Sequence, residues 1–250
     1  MHTETELDIA IVGGGMVGAS LALSLRDLPW RVGLIDPRQP ALEPLSPPQS
    51  GEDFGPRVSA LSPASERWLR QLDTWQQLPE HRIGTYHSMQ VWDADGSGEL
   101  DFDPFLADLD YLGHIVENRL IEQTLWAQLT DWSSLHLMAG QRVEQVKEVA
   151  DSHRWQLTLH SGDTVRARLL LIVDGARSPL RTRLGFATRA WSYDQRAVVA
   201  TVTHEYAHQA TARQAFHRHG PLAFLSLSLP HCSSIVWSLD DAAAESFFDA

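Results

Sequence analysis

Cysteine is almost missing. Cys232 stands alone in 250 residues, which excludes an internal disulfide framework and fits a reducing compartment. Set among strand-like residues, it reads as a small buried hydrophobe. Long apolar runs are missing too. The longest strand-like one, residues 169–173, falls far short of the roughly 20 residues that cross a bilayer as a helix. Positive charge is in deficit: the formal net charge is −12, which repels phosphate backbones and argues against nucleic acid as a partner. The opening Met1-His2-Thr3-Glu4-Thr5-Glu6 is acidic where a signal peptide is basic, so a cytoplasmic location is expected. The remaining composition is that of a globular chain with one large core or two modest ones.

Residues 7–36 carry the clearest chemical signal. Leu7-Asp8-Ile9-Ala10-Ile11-Val12 has the pattern of an apolar strand; it runs into Gly13-Gly14-Gly15-Met16-Val17-Gly18 and then Ala19-Ser20-Leu21-Ala22-Leu23. A strand thus breaks into a G-x-G-x-x-G turn that opens a helix, and a second strand, residues 32–35, ends in Asp36. That order is the dinucleotide-binding fingerprint in its required setting. Gly13 permits the tight turn, Gly15 lets backbone approach a pyrophosphate, and Gly18 lets the helix pack close to the strand. The helix N-terminus offers amides and a positive dipole end to the phosphates. Asp36 falls about twenty residues on, where a carboxylate accepts hydrogen bonds from an adenosine ribose. The competing reading is a glycine-rich turn with no ligand.

Beyond Asp36, the Pro- and Ser-rich residues 37–55 read as a long surface loop. Ser62 caps and Pro63 opens a helix in which Trp68, Leu69 and Leu72 recur at helical spacing. Residues 86–92 and 99–102 pattern as a hairpin, and Asn118 caps a second helix carrying Leu120, Ile121, Leu125, Trp126 and Leu129. Short strands are expected at 135–138, 141–149 and 155–160. Residues 168–173 form a continuous apolar run, the pattern of a strand buried on both faces of a sheet. After about residue 186 the chain turns strand-rich, at 197–203, 213–216, 222–229 and 234–239. Leu225, Leu227 and Leu229 alternate with Ser226 and Ser228, the period of a sheet with one buried face. Two interleaved domains are expected. An α/β nucleotide-binding domain uses 1–82 and 113–185; a mostly β domain uses 83–112 and 186–250.

A second glycine site closes the apolar run: Asp174-Gly175-Ala176-Arg177-Ser178-Pro179-Leu180-Arg181. With the N-terminal fingerprint, this D-G-x-x-S-x-x-R element resembles the flavoprotein aromatic hydroxylases typified by para-hydroxybenzoate hydroxylase. Arg57-Val58-Ser59-Ala60-Leu61-Ser62 and Leu112-Gly113-His114-Ile115-Val116-Glu117-Asn118 narrow the likeness to the ubiquinone-biosynthesis hydroxylases. Tyr86-His87-Ser88-Met89-Gln90-Val91-Trp92-Asp93, Ala212-Arg213-Gln214-Ala215-Phe216-His217 and Ser234-Ile235-Val236-Trp237-Ser238-Leu239 are most similar to the branch acting on 2-polyprenylphenols. So is Gly220-Pro221-Leu222-Ala223-Phe224-Leu225. The resemblance covers essentially the whole chain, with two departures. Val173 stands where relatives often carry Ala or Gly. The family's further flavin-contacting motif, G-D-A-A-H with a downstream P-x-x-G-x-G-x-N, is not among the 250 residues, so a fragment of a longer protein or a truncated product is expected.

The resemblance implies a Rossmann-like FAD-binding domain of the GR2 flavoprotein type, interleaved with a mostly β substrate domain. It implies an FAD-dependent, NAD(P)H-consuming monooxygenase that hydroxylates a polyprenylated phenol in ubiquinone biosynthesis, using O2 through a flavin C4a-hydroperoxide. The nicotinamide nucleotide acts from solution, because only one dinucleotide fingerprint is present. Cofactor contacts are expected from Gly13, Gly15, Gly18, Asp36, Arg57, Arg119, Asp174 and Gly175, with Arg181 positioning the second loop. His217, Phe224, Leu225 and Ser226 are candidates for the substrate surface, and no catalytic base is assigned. A small hydrophobic aromatic substrate implies access from the surface of the inner membrane, or from partners in a ubiquinone-biosynthesis complex.

Two patterns compete for attention. His204-Glu205-Tyr206-Ala207-His208 spells H-E-x-x-H, yet zinc chemistry needs both histidines one turn apart on a helix, and the residues before it are β-branched. Asp93 to Leu100 mimic the start of a calcium loop, but Pro104 stands where the bidentate Glu belongs, so a hairpin turn is expected. Other functions remain open: hydroxylation of a soluble aromatic, or a non-catalytic remnant or assembly subunit. A halogenase is disfavoured by the lack of a W-x-W-x-I-P segment.

Overall fold

The structure, a computed structural model, describes residues 2–150 and 153–248. Its strands run in chain order β1 (Glu4–Val12), β2 (Val32–Asp36), β3 (Val58–Leu61), β4 (Gly84–Tyr86), β5 (Ser88–Asp93), β6 (Glu99–Phe102), β7 (Gly113–Glu117) and β8 (His136–Ala139). They continue as β9 (Val143–Val149), β10 (Arg154–Leu159), β11 (Thr164–Ile172), β12 (Gln195–Thr203), β13 (Thr211–His217), β14 (Gly220–Ser226) and β15 (Cys232–Asp240). The helices are α1 (Met16–Ser24), α2 (Pro63–Gln71), α3 (Asn118–Asp131), α4 (Pro179–Arg183) and α5 (Asp241–Phe248).

The chain divides into two compact units. The first, residues 1–43 and 121–189, is built on a six-stranded sheet in the order β8-β2-β1-β11-β10-β9. The four strands from β8 to β11 are parallel, and β10 and β9 are antiparallel additions. The apolar runs explain this: β1 and β2 carry Leu7, Ala10, Val12 and Ile35 into a core shared with Leu157, Leu159, Val165 and Leu180. A parallel sheet with apolar strands and a helix following β1 is the doubly-wound plan, and the α/β fold expected from the sequence is found.

One expectation fails here. Residues 168–173 are not buried on both faces, and Leu169 is 47% exposed. The reason lies in the pairing: β11 is matched along β1 through Ile172, but β10 pairs only with residues 164–167. Beyond Ala167 the outer edge of β11 has no strand partner among the described residues.

The second unit, residues 44–120 and 190–250, holds a sheet in the order β12-β15-β14-β13-β5-β6 and a small antiparallel one, β3-β7-β4. Ser62 caps α2 through Ser65, with Pro63 at its first position, and β5 and β6 make the expected hairpin. Tyr86 belongs to the separate strand β4. The sequence-based division assigns 44–82 and 113–120 to the nucleotide domain; by contacts they group with the second unit. Phe54 and Ile115 share a core with Leu227 and Cys232, and a Cβ on Gly84 meets the Ser226 carbonyl at 2.3 Å, so the small sheet packs tightly on the chain around 226–232. The Leu/Ser alternation holds in part: Leu227 is core, but Ser226 is equally buried and β14 ends there.

Two buried polar groups tie this unit together. Arg82 and Glu117 have side chains only 2% and 1% exposed and pair at 2.8 Å. Arg82 also donates to the carbonyls of Ser46 and Asp53, and Glu117 accepts from the Gly55 amide at 2.6 Å. Loop 46–55 is therefore pinned from inside. Nearby, His114 bridges Thr85 and Glu66, and Glu66 also accepts from Arg70 and Tyr111. Burial holds His114 below the ordinary histidine value of 6.5 even though Glu66 opposes it. Burial alone raises Glu66, but the hydrogen bonds from Tyr111 and Arg70 outweigh it and hold the carboxyl below its usual value.

The sign follows from proton counting. Below 6.5 the unfolded His114 binds a proton more readily than the folded one, so its contribution to stability is lost as pH falls from 6.5 through the folded value. Glu66 adds a loss in the same direction, below 4.5. The urea midpoint should be flat above about pH 7.5 and decline on acidification below 6.5; a midpoint that rises between about pH 7 and 5.5 contradicts this reading.

Candidate functional site

The first unit contains a cleft of about 340 Å³ lined by Gly13, Gly15, Asp36, Asp174 and Gly175 together with Arg38 and Arg142. Five of the six expected cofactor residues of this unit therefore converge on one cavity. The sixth, Gly18, lies beneath it. The three fingerprint glycines answer three different demands. Gly13 has φ +112°, and a Cβ there falls 2.3 Å from the Val173 carbonyl oxygen, so no other residue fits. A Cβ on Gly18 falls 1.8 Å from the Gly13 carbonyl oxygen, which is the close packing of helix on strand. Gly15 is different: a Cβ there meets nothing nearer than 3.8 Å. The protein leaves the space in front of Gly15 open, and the N-terminal amides of α1 face outward from that point without intrahelical partners.

The turn is clamped from two sides. Asp36, at the end of β2, accepts from the Gly14 amide at 2.5 Å and from the Arg38 amide at 2.7 Å. Trp126, buried on α3, donates its indole N–H to the Gly14 carbonyl at 2.7 Å. Gly14 is thereby fixed at both its amide and its carbonyl. Asp36 thus has a structural duty in the turn and still borders the cleft, with lone pairs remaining for a sugar hydroxyl.

The second loop completes the cavity wall. Gly175 has φ +93°, a turn that brings Asp174 to the lip of the cleft. The Oδ1 atom of Asp174 is buried with no hydrogen-bond partner. Such an acceptor asks for a donor, and a carboxylate beside phosphates suits a ribose or ribityl hydroxyl rather than the phosphates themselves. Arg181 holds this loop, as expected, by donating to the Ala176 carbonyl at 2.6 Å. Sequence reasoning missed Arg38, Arg142, Glu122 and Trp126. Arg38 reaches both Asp36 and Glu122, at 3.3 and 3.6 Å, and supplies positive charge at the mouth of the cleft. The Arg two residues after the strand-ending acid was the available signal; for Trp126 there was none beyond a helical apolar position.

The other two expected cofactor residues lie in the second unit. Arg57 is exposed, and its guanidinium has no partner among the described residues. Arg119 is occupied: it donates to Glu117 at 2.8 Å and to the Asp53 carbonyl at 2.8 Å, so most of its guanidinium serves loop 46–55. Asn118 starts α3 but its Oδ1 accepts from the Ser59 hydroxyl. The substrate candidates are split. Register places His217, Phe224 and Ser226 on one face of the sheet and Leu225 on the other, where it joins Cys232 and Phe54.

The H-E-x-x-H stretch is not helical; residues 204–208 form a loop after β12. His204 and His208 instead bond the Tyr206, Leu227 and Leu229 carbonyls. Residues 93–98 are the β5–β6 hairpin turn, closed by the Asp93 amide on the Gly98 carbonyl.

No family model matches the chain. It is similar to the ubiquinone biosynthesis monooxygenase COQ6 of Homo sapiens, at 35% identity over 94% of this chain and 52% of that protein. It is likewise similar to the 3-demethoxyubiquinol 3-hydroxylase of Escherichia coli, at 32% identity over 94% of this chain and 58% of that one. The chain thus spans little more than half the length of these relatives. Among solved structures, pqsL, a probable FAD-dependent monooxygenase from Pseudomonas aeruginosa, superposes with a TM-score of 0.79 at 19% identity. That match covers 97% of this chain and 63% of pqsL, and shows the fold.

Two substitutions test this geometry. Trp126→Phe keeps an aromatic side chain but removes the indole N–H and strands the buried Gly14 carbonyl, and should cost at least about 1–3 kcal/mol in urea unfolding, with the cavity it leaves adding to this. Gly18→Ala should cost about 4 kcal/mol or more, since backbone must move. A Gly18→Ala protein as stable as wild type refutes the close approach.

Proposed function

We propose that this chain, a homologue over almost its full length of the ubiquinone-biosynthesis hydroxylases, serves an FAD-dependent monooxygenase that hydroxylates an aromatic ring. The observation that carries the reading is the cleft in which Gly13, Gly15, Asp36, Asp174 and Gly175 meet. Its donor set fits FAD: outward amides and Arg38 for the diphosphate, and Asp36 and the unpartnered Asp174 for sugar hydroxyls. When bound, FAD supplies oxygen activation and transfer of one oxygen atom to the ring. The residues on this chain bind and orient. Gly15 keeps the approach clear, Asp36 and Trp126 hold the amides in place, and Arg181 fixes the Asp174 loop.

Arg57, exposed and with its charge uncommitted, is assigned to an anionic part of the cofactor. Arg119 acts mainly through the loop it holds. NAD(P)H is assigned as the reductant, delivered from solution, because the sequence holds a single dinucleotide fingerprint. The names of the relatives place them in ubiquinone biosynthesis, which supports a polyprenylated phenol as substrate. So greasy a molecule favours delivery from the inner membrane surface or from partner proteins of that pathway. No helix among the described residues is long and apolar enough to cross a membrane.

The test uses the full-length gene product. It should purify yellow with bound FAD and oxidise NAD(P)H faster when a prenylated phenol is added, with one oxygen atom gained by the ring. Gly15→Val should fold, because the space at that Cβ is open, yet lose its flavin. A Gly15→Val protein that keeps a full complement of FAD, or a flavin-loaded wild type that never hydroxylates a phenol, overturns the assignment.

A further inference from the structure

Apolar side chains on a folded protein's surface are unremarkable singly; a cluster of large ones is not. Within seven residues after the β5–β6 turn, Leu100, Phe102, Phe105 and Leu106 are all exposed, the last two at 81% and 86%. They are held in place. Residues 104–107 form a 3-10 turn in which the Asp103 carboxylate accepts from the Phe105 amide, while the Asp103 and Pro104 carbonyls accept from the Leu106 and Leu109 amides. Among the described residues β6 is an edge strand, paired with β5 alone. Register sets Phe102 beside Met89 and Leu100 beside Val91 on one face, and the half-exposed Phe216 on β13 stands across from Asp93 on the same side. The apolar surface therefore continues from the turn onto the sheet.

Along the segment itself the charge is of one sign, and the exposed Arg218 lies beyond Phe216, just past the end of the neighbouring β13. Glu99, Asp101, Asp103, Asp108 and Asp110 alternate with the apolar residues, and no Lys or Arg occurs anywhere from Ile83 to Asn118. An edge strand that alternates acids with its apolar groups is protected from pairing with its own kind, since like charges meet. The same acids repel an anionic lipid surface. What they attract is a cationic surface with an apolar centre.

We propose that residues 99–110 are a docking surface for a protein partner that presents Lys or Arg around exposed apolar side chains. Phe105 and Leu106 are the anchors, because large rigid side chains that become desolvated dominate such contacts. The carboxylates steer the approach and fix the register, an effect that reaches about 8 Å at physiological salt. This inference does not depend on the flavin chemistry, since no residue of the cleft takes part.

The experiment uses the full-length gene product, wild type and two variants: Phe105→Ser with Leu106→Ser, and Asp101→Asn, Asp103→Asn, Asp108→Asn with Asp110→Asn. The probes are a labelled amphipathic Lys/Leu peptide, its Glu/Leu counterpart, phosphatidylcholine vesicles, and phosphatidylcholine–phosphatidylglycerol vesicles. The wild type should bind the Lys/Leu peptide more weakly as salt rises, and hydrogen exchange over 99–110 should slow on binding. Each variant should lose at least about tenfold in affinity, while the Glu/Leu peptide and both vesicles stay unbound. Equal peptide affinity in wild type and variants overturns the proposal, as does preferential binding to either vesicle. So does protection of 99–110 in the free full-length protein, which would mean that its own chain or a second copy already covers the surface.

Discussion

The first unit depends on the contact between Gly13 and Gly18. With a Cβ on Gly18 falling 1.8 Å from the Gly13 carbonyl oxygen, helix α1 can start this close to β1 only if position 18 lacks a side chain, while Gly13 is required by its φ of +112° and by the Val173 carbonyl 2.3 Å from where its Cβ would lie. That closeness places the N-terminus of α1 directly after Gly15, which lines the cleft and has open space before it. Everything else at the site preserves this geometry. Asp36 ties the Gly14 amide from β2, and Trp126 ties the Gly14 carbonyl from α3. A turn left to find its shape on binding would lose affinity, since each residue ordered costs about 1–2 kcal/mol of chain entropy. Here most of that ordering is complete before any ligand arrives.

The second unit shows the same logic with charge in place of glycine. Loop 46–55 has no regular structure beyond one short 3-10 turn, yet its carbonyls at Ser46 and Asp53 and its amide at Gly55 are satisfied by the buried Arg82–Glu117 pair. Removing Glu117 would leave Arg82 without its carboxylate in the interior, a cost of about 3–5 kcal/mol, whereas a Glu117 that loses Arg82 keeps Arg119. Arg119 shares this network, which explains why a residue expected at the cofactor is mostly committed to its own loop. Arg57 follows the same loop but keeps its guanidinium uncommitted.

Much of this was legible in the chain because local rules and the fold agreed. The strand–glycine turn–helix–strand–acid order located Gly13, Gly15, Gly18 and Asp36, and the Asp174-Gly175 pair after an apolar strand located the opposite wall. Ser62-Pro63 marked a helix start by capping chemistry alone. What was not legible came from contacts distant in sequence. Nothing in the spacing shows that Trp126 reaches Gly14, or that Glu117 gathers Arg82, Arg119 and Gly55. The apolar run at 168–173 read as doubly buried because composition records what a strand tolerates, not which neighbours pair with it. The compact units depart from the expected division at 44–82 and 113–120 for a related reason: Phe54 and Ile115 look like generic core residues, and only the fold shows that their core is completed by Leu227 and Cys232.

The central claim is that the glycine turn grips the diphosphate of a dinucleotide, so the adenosine half of FAD must contribute binding. The direct measurement is a fluorescence titration of the full-length apoprotein with FAD and, separately, with FMN, which lacks that half. The account predicts that FAD binds at least about 100-fold more tightly, equivalent to about 2.7 kcal/mol. Equal affinity for the two flavins, or none for FAD, would contradict it.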